Sequence, residues 1–315
     1  MPGPTSPSVF WRRRLVALAA LALLVVLTLV VACGTGGQDP PSPRSGAAAA
    51  STPRLAELPR GGREILPGHR VVAFYGAPQD PELGTLGIGT PDAAARRLLR
   101  QARRYDRPGL PVLPALELIT VVAAADPGDG GRYSMRQSDA VIRRYLRAAR
   151  KVKALLVLDI QPGRSDFFTE TTRLRRWLRE PDVGLALDPE WRVSDGQVPG
   201  QVIGRVDSRE VNATTAWLAQ LVARHRLPQK LLVIHQFTDD MVDETALKPR
   251  DGVAMVLNAD GFGSQPVKIS KYHRFTRQSP GFGTGFKLFF HEDAGLMSPR
   301  RVLRMRPPPD VVVYE

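Results

Sequence analysis

The sequence predicts an α/β fold, a (β/α)8 barrel of the TIM type. Eight apolar runs alternate with helical segments between His69 and Glu315. Several of these runs are continuous rather than alternating: LLVLDIQ (Leu155 to Gln161), GLALDPEW (Gly184 to Trp191), LLVIHQF (Leu231 to Phe237) and AMVLNADG (Ala254 to Gly261). Unbroken apolar runs bounded by turn residues mark strands buried on both faces. A stretch of about 250 residues is also the usual size of such a barrel. The alternative is an open doubly wound sheet, which needs no closure and tolerates a missing helix. No glycine-rich nucleotide turn follows the first strand, because Gly84, Gly87 and Gly89 are spread through a long loop.

The first strand runs from His69 to Gly76. Thr90 then caps a helix to Tyr105 whose first residue is Pro91, where a missing N–H costs nothing. The second strand, Pro111 to Ile119, leads to a helix from Gln137 to Val152. The third, Ala154 to Gln161, leads to one from Ser165 to Arg179. The fourth, Val183 to Glu190, ends in a loop containing Gly196, Pro199 and Gly200, and a helix follows from Ser208 to His225. The fifth is Lys230 to Phe237, with a short helical stretch near Met241 to Leu247. The sixth is Gly252 to Asp260, with a helix near Val267 to Gln278. The seventh, Gly285 to His291, precedes a short helix from Ser298 to Arg304, and Asp310 to Tyr314 is the eighth strand. The pattern has no eighth helix. Leu55 to Ile65 is expected to pack over the resulting gap.

The first 32 residues read as a secretion signal: Arg12, Arg13 and Arg14 precede an unbroken apolar run from Leu15 to Ala32. The ending Val30, Val31, Ala32, Cys33, Gly34 resembles the bacterial lipobox, which implies lipidation at Cys33, the only cysteine of the chain. An uncleaved membrane anchor is the alternative, since about 18 residues is near the lower limit for spanning a bilayer. Residues 33–60, rich in Pro, Ser, Gly and Ala, read as a flexible tether, which leaves 61–315 as the barrel domain. The expectation is a protein held on the extracytoplasmic face of the cytoplasmic membrane.

The formal charge is +13. Its arginines cluster at helical spacing, as in Arg96, Arg97, Arg100, Arg103 and Arg104, and read as solvated outer faces. No nucleic-acid-binding motif is present, so no nucleic-acid partner is expected. A basic exterior favours anionic headgroups or acidic wall polymers.

Polar residues gather where the strands leave the core, which is where barrels build their sites. The candidates are Tyr75, Glu117, Asp159, Asp188, Glu190, His235, Gln236, Asn258, Asp260 and Lys287. Alternation along a strand puts Asp188 and Glu190 on one side, with Cα atoms roughly 6.5–7 Å apart. Paired carboxyls in a partly dry cup divide into a proton donor and an ionised partner, which suits glycosidic bond cleavage. Lys287 reads as the counter-ion of the acids, as a Schiff-base lysine or as an outward residue reaching solvent. No HExxH, CxxC or close His-x-His spacing is present, and neither a metal nor another cofactor is expected.

The run Gly184 to Glu190 (GLALDPE) resembles the end of the family-18 chitinase signature and the strand-four acid pair of family-25 muramidases. The resemblance implies that Glu190 is the general acid and that Asp188 orients a substrate N-acetyl group, which attacks in place of a protein nucleophile. Two further aspartates of that signature are replaced here by Val183 and Ala186. The wider chain resembles a set of exported bacterial lipoproteins with a glycoside-hydrolase-like barrel. The expected function is therefore to bind or cleave a cell-envelope or environmental glycan, with Asp159, Glu117, Asp260, Asn258, His235, Gln236, Tyr75 and Lys287 lining the site. A non-catalytic ligand-binding lipoprotein and a metal-dependent hydrolase are the alternatives.

Overall fold

The computed structural model describes residues 55–315 apart from 129 and 280. The signal segment, Cys33 and most of the tether lie outside the described residues. No helix among the described residues is long and apolar enough to cross a membrane. Ala56–Glu315 forms one compact unit, so the barrel unit begins inside the segment read as tether.

Nine strands form one sheet: β1 (Arg70–Gly76), β2 (Val112–Ala123), β3 (Ser134–Arg136), β4 (Leu155–Ile160), β5 (Val183–Leu187), β6 (Lys230–Gln236), β7 (Val253–Ala259), β8 (Gly283–Leu288) and β9 (Val311–Tyr314). The order is β1-β9-β8-β7-β6-β5-β4-β2-β3, and β1 also pairs with β2. The ring therefore closes through eight parallel strands, and the open-sheet alternative is excluded. The extra strand, β3, pairs antiparallel with the end of β2, Val121 facing Arg136, and extends the sheet past the rim. Its three residues lie in a glycine-rich loop and give no run long enough to read as a strand.

The helices are α1 (Pro91–Ala102), α2 (Asp139–Lys151), α3 (Phe167–Arg173), α4 (Arg175–Leu178), α5 (Ser208–His225), α6 (Gln265–Gln278) and α7 (Pro299–Val302). Their starts follow their caps. The Thr90 hydroxyl accepts from the Ala93 N–H, the Ser138 hydroxyl from Val141 and the Asp166 carboxylate from Thr169. The segment near Met241 to Leu247 supplies only a single 3-10 turn, Glu244–Ala246.

Two apolar layers follow from the alternation. Val72, Leu116, Leu158, Leu185, Ile234, Leu257 and Val312 face the helices. Val71, Ala73, Leu113, Ala115, Val157, Ala186, Val233, Val256 and Val313 fill the barrel. Gly184 and Gly285 also point inward, where a Cβ would meet Leu231 O at 2.9 Å and Asn258 Oδ1 at 2.6 Å.

The segment before β1 does not fill the gap of an absent helix. Leu58 and Ile65 join the interior layer. The Arg60 guanidinium donates to Val112 O at 3.1 Å, and the Ile65 N–H donates to Gln229 Oε1 at 2.7 Å. The segment thus spans the bottom of the barrel from β2 to β6 and plugs it. Among the described residues no helix follows β9. Its outer face is covered by aromatic rings: Phe290 stacks on Tyr314 at 5.1 Å, Phe74 meets both edge-on, and the Tyr105 and Tyr314 hydroxyls are 2.6 Å apart. Tyr314 is therefore an outward residue.

Candidate active site

At the opposite end of the barrel, inward positions change from apolar to polar on every strand. Tyr75 closes β1, Glu117 lies in β2, Asp159 in β4, Asp188 just after β5, His235 in β6, Asn258 and Asp260 at the end of β7, Lys287 in β8, and Glu315 just after β9. Each follows an inward apolar residue by two positions or lies at the same phase of the pleat, so the pattern that fills the barrel also builds the ring. Glu315 escaped the sequence reading, although VVVYE has the same apolar-to-acid ending as the other runs.

The ring has two hydrogen-bonded halves. In one, His235 bridges two acids: Nδ1 lies 2.9 Å from Asp260 Oδ2 and Nε2 lies 3.0 Å from Glu117 Oε1. Lys287 Nζ donates to Asp260 Oδ2 at 3.1 Å and to Glu315 Oε2 at 2.7 Å, and sits 3.9 Å from the centre of the Tyr75 ring. In the other half, the Tyr75 hydroxyl lies 3.3 Å from Asp159 Oδ2 and 3.4 Å from Asp188 Oδ2. Gln161 Nε2 donates to the same hydroxyl at 2.9 Å.

Burial sets the proton affinities apart. Asp159 is 0 % and Asp188 2 % exposed. Desolvation raises both carboxyls above their usual range, and repulsion from Asp188 raises Asp159 further. Burial alone would also raise Asp260, but the Lys287 charge and the His235 bond pull it well below the usual range. Burial would discharge His235, and its bonds to Asp260 and Glu117 overcome that and hold it charged. Lys287 is likewise held charged by Asp260 and Glu315 against its burial. An amine fixed as ammonium is a poor Schiff-base nucleophile, so Lys287 serves as the counter-ion.

The strand-four pair departs from the geometry expected of it. β5 ends at Leu187, and Pro189–Trp191 forms a 3-10 turn with Pro189 at its first position. Strand alternation therefore does not carry Asp188 and Glu190 to one side. Glu190 sits in the turn, whose carbonyl accepts from the Gly204 N–H at 2.7 Å. Gln236 also leaves the ring: next to His235 on β6, it points the other way and donates to the Glu244 carboxylate. His291 lies in the exposed loop after β8. The β2–β3 hairpin leans on α3 and on the loop that leads to it from β4. Arg136 holds Glu170 through two bonds of 2.7 Å, and the Arg164 guanidinium lies 4.0 Å from the Tyr133 ring centre.

No protein-family model and no curated relative matches the chain. Similar solved structures include a β-glucuronidase of Parabacteroides merdae, at 12% identity and a TM-score of 0.39 over 78% of this chain and 31% of that one. A sialic acid aldolase of Ruminococcus gnavus is 11% identical, with a TM-score of 0.37 over 78% of this chain and 68% of that one. This chain thus spans about a third of the glucuronidase it resembles. The barrel assignment rests on the strand order itself.

Proposed function

We propose that the barrel mouth binds and hydrolyses a glycan by general acid–base catalysis, with Asp188 as proton donor and Glu190 as its partner towards the substrate. The observation that carries this reading is the division within the ring. Asp188 is buried and retains its proton more strongly than a free carboxyl, whereas Asp260 in the same ring is held ionised. A carboxyl that keeps its proton and an ionised carboxyl in one ring are what protonation of a leaving oxygen and stabilisation of an oxocarbenium-like centre call for. The resemblance of Gly184 to Glu190 to the chitinase and muramidase signature supports a carbohydrate substrate. It assigns the donor role to Glu190, but the 3-10 turn and the deeper burial of Asp188 favour exchanging the two roles. The charged N-terminal segment and Cys33 support a lipid-anchored protein facing outward from the cytoplasmic membrane, where cell-envelope glycans lie.

Activity is read as reducing ends released from chitin-type and peptidoglycan-type oligosaccharides by the purified protein. Asp188→Asn and Glu190→Gln are each expected to lower kcat by roughly 10²–10⁴, the usual contribution of a positioned acid or base. Full activity in both variants would falsify the assignment. The depth of the ring favours one other reading, a barrel that binds without turnover. Oligosaccharide binding by the wild type that releases no reducing ends and is unchanged by Glu190→Gln would decide for it.

A further inference from the structure

His235 is mounted in the way a metal-ligating imidazole is mounted. Its Nδ1 faces Asp260 Oδ2 at 2.9 Å. Asp260 is itself fixed, by Lys287 at 3.1 Å and by the Gly261 N–H at 2.6 Å. In the metal-free protein Asp260 and Glu117 keep a proton on each ring nitrogen; a cation that displaces the Nε2 proton finds a lone pair there, with the Nδ1 proton still held by Asp260. That lone pair faces two carboxylate oxygens, Glu117 Oε1 at 3.0 Å and Asp159 Oδ1 at 3.9 Å. Something positive has to lie among them. A second proton on the ring satisfies Glu117 alone, because 3.9 Å is beyond hydrogen-bond reach. Asp159 Oδ1 is fully buried and has no hydrogen-bond partner.

One divalent cation satisfies all three atoms at once. They lie within 4.8 Å of one another, on three different strands. Ligand bonds of about 2.0–2.2 Å put neighbouring donor atoms roughly 3–3.5 Å apart; Glu117 Oε1 already stands at that spacing from His235 Nε2, and Asp159 Oδ1, at 3.9 Å, has to move towards the ring. A second carboxyl oxygen of the ring lacks a partner. Asp188 Oδ1 is buried and unbonded, while its Oδ2 shares the Tyr75 hydroxyl with Asp159. The charges agree, since five carboxyls, of Glu117, Asp159, Asp188, Asp260 and Glu315, gather around the Lys287 and His235 cations. We propose that Glu117, Asp159 and His235 bind one divalent transition-metal ion, with Asp260 as the carboxylate that orients the imidazole. One imidazole with two carboxylates suits zinc or manganese better than magnesium or calcium. The three ligands are too far apart in the chain to form a motif, so only the closed barrel brings them together.

The test uses the full chain, freed of any affinity tag, stripped with chelator and titrated with zinc or manganese. One ion per chain is expected to survive desalting. The melting temperature should rise by roughly 5–10 °C at a hundredfold excess over Kd. Glu117→Gln and Asp159→Asn should each weaken binding at least tenfold, and Asp260→Asn roughly 10–100-fold. Pulsed electron spin resonance of the manganese-loaded wild type should show coupling to one imidazole nitrogen, a readout that needs no variant to fold. Glu190→Gln should bind the ion unchanged, which separates this site from the proton-transfer assignment above. Sub-stoichiometric metal in the wild type, no nitrogen coupling, or unchanged affinity in both Glu117→Gln and Asp159→Asn overturns the proposal.

Discussion

Asp159 shows at the scale of one residue what the ring costs the fold. It is fully buried, one oxygen has no partner, and burial and Asp188 both disfavour its charge. A carboxyl whose folded pKa is raised binds protons in the folded state that the unfolded chain has released. Stability is then lost as pH rises from the unfolded value towards the folded one. Asp159→Asn removes that loss. The metal-free variant is expected to be more stable than the metal-free wild type at pH 7, by about 1–2 kcal/mol, the scale of relieving one unmatched buried polar group. Urea denaturation of both proteins checks this, and a less stable variant would contradict the strain assigned to Asp159. At this scale much of the site was legible. Glu117, Asp159, His235, Asp260 and Lys287 all stood at the polar ends of apolar runs. The misreadings have a common cause, which is that alternation holds only while the backbone stays extended. Pro189 starts a turn directly after Asp188, so two residues read as one pair lie on different kinds of backbone. Gln236 was included for its polarity, although its odd-even phase against His235 turns it outward.

At the scale of elements, β8 places the counter-ion, and its glycines make room for the site. A Cβ on Gly285 would sit 2.6 Å from Asn258 Oδ1, and one on Gly283 2.6 Å from Leu66 Cδ1. β8 therefore passes close to its neighbour at the mouth and close to the plug at the bottom. Gly285→Ala is expected to cost about 1–3 kcal/mol by overpacking and to displace Asn258 from beside His235. Chemical denaturation gives the first effect, and a shift of the His235 imidazole resonances gives the second. An alanine variant as stable as the wild type, with unmoved resonances, would show that the approach is looser than the structure has it. The start at Thr90 was legible because a cap is local, and its hydroxyl accepts from the Ala93 N–H as expected; the helix read from Gln137 instead starts at Asp139, capped by Ser138. The hairpin strand β3 was not legible. It is held by pairing with β2 and by the Arg136–Glu170 contact, which are tertiary causes without a local signature.

For the molecule as a whole, two buried cations give stability opposite slopes with pH. His235 is held charged by Asp260 and Glu117. Its contribution is present below the unfolded value of about 6.5 and is lost as pH rises through the folded one. Lys230, buried on β6 and donating to the Glu180 and Val183 carbonyls, is pulled down to about 7 by desolvation. Between pH 7 and its unfolded value of about 10.4 the unfolded chain holds a proton that the fold has released, so this contribution rises with pH. Lys230→Met deletes the second slope. The stability of the variant relative to the wild type should be highest at pH 7 and fall steadily by pH 9, as measured by guanidinium denaturation at constant ionic strength. A difference independent of pH would exclude the shift. The eightfold alternation was readable because each run carries it independently. The place of the plug was not, because its partners lie far along the chain, Ile65 meeting Gln229. The same long separations set an order of assembly. During synthesis Glu117 emerges well before His235, its partner in the ring, and Lys287 emerges after both. The ring is sealed by the pairing of β9 with β1, and the last side chain of the site to be made is Glu315, which holds Lys287. A chain cut short before Lys287 thus lacks both the strand that closes the barrel and the ammonium that holds Asp260.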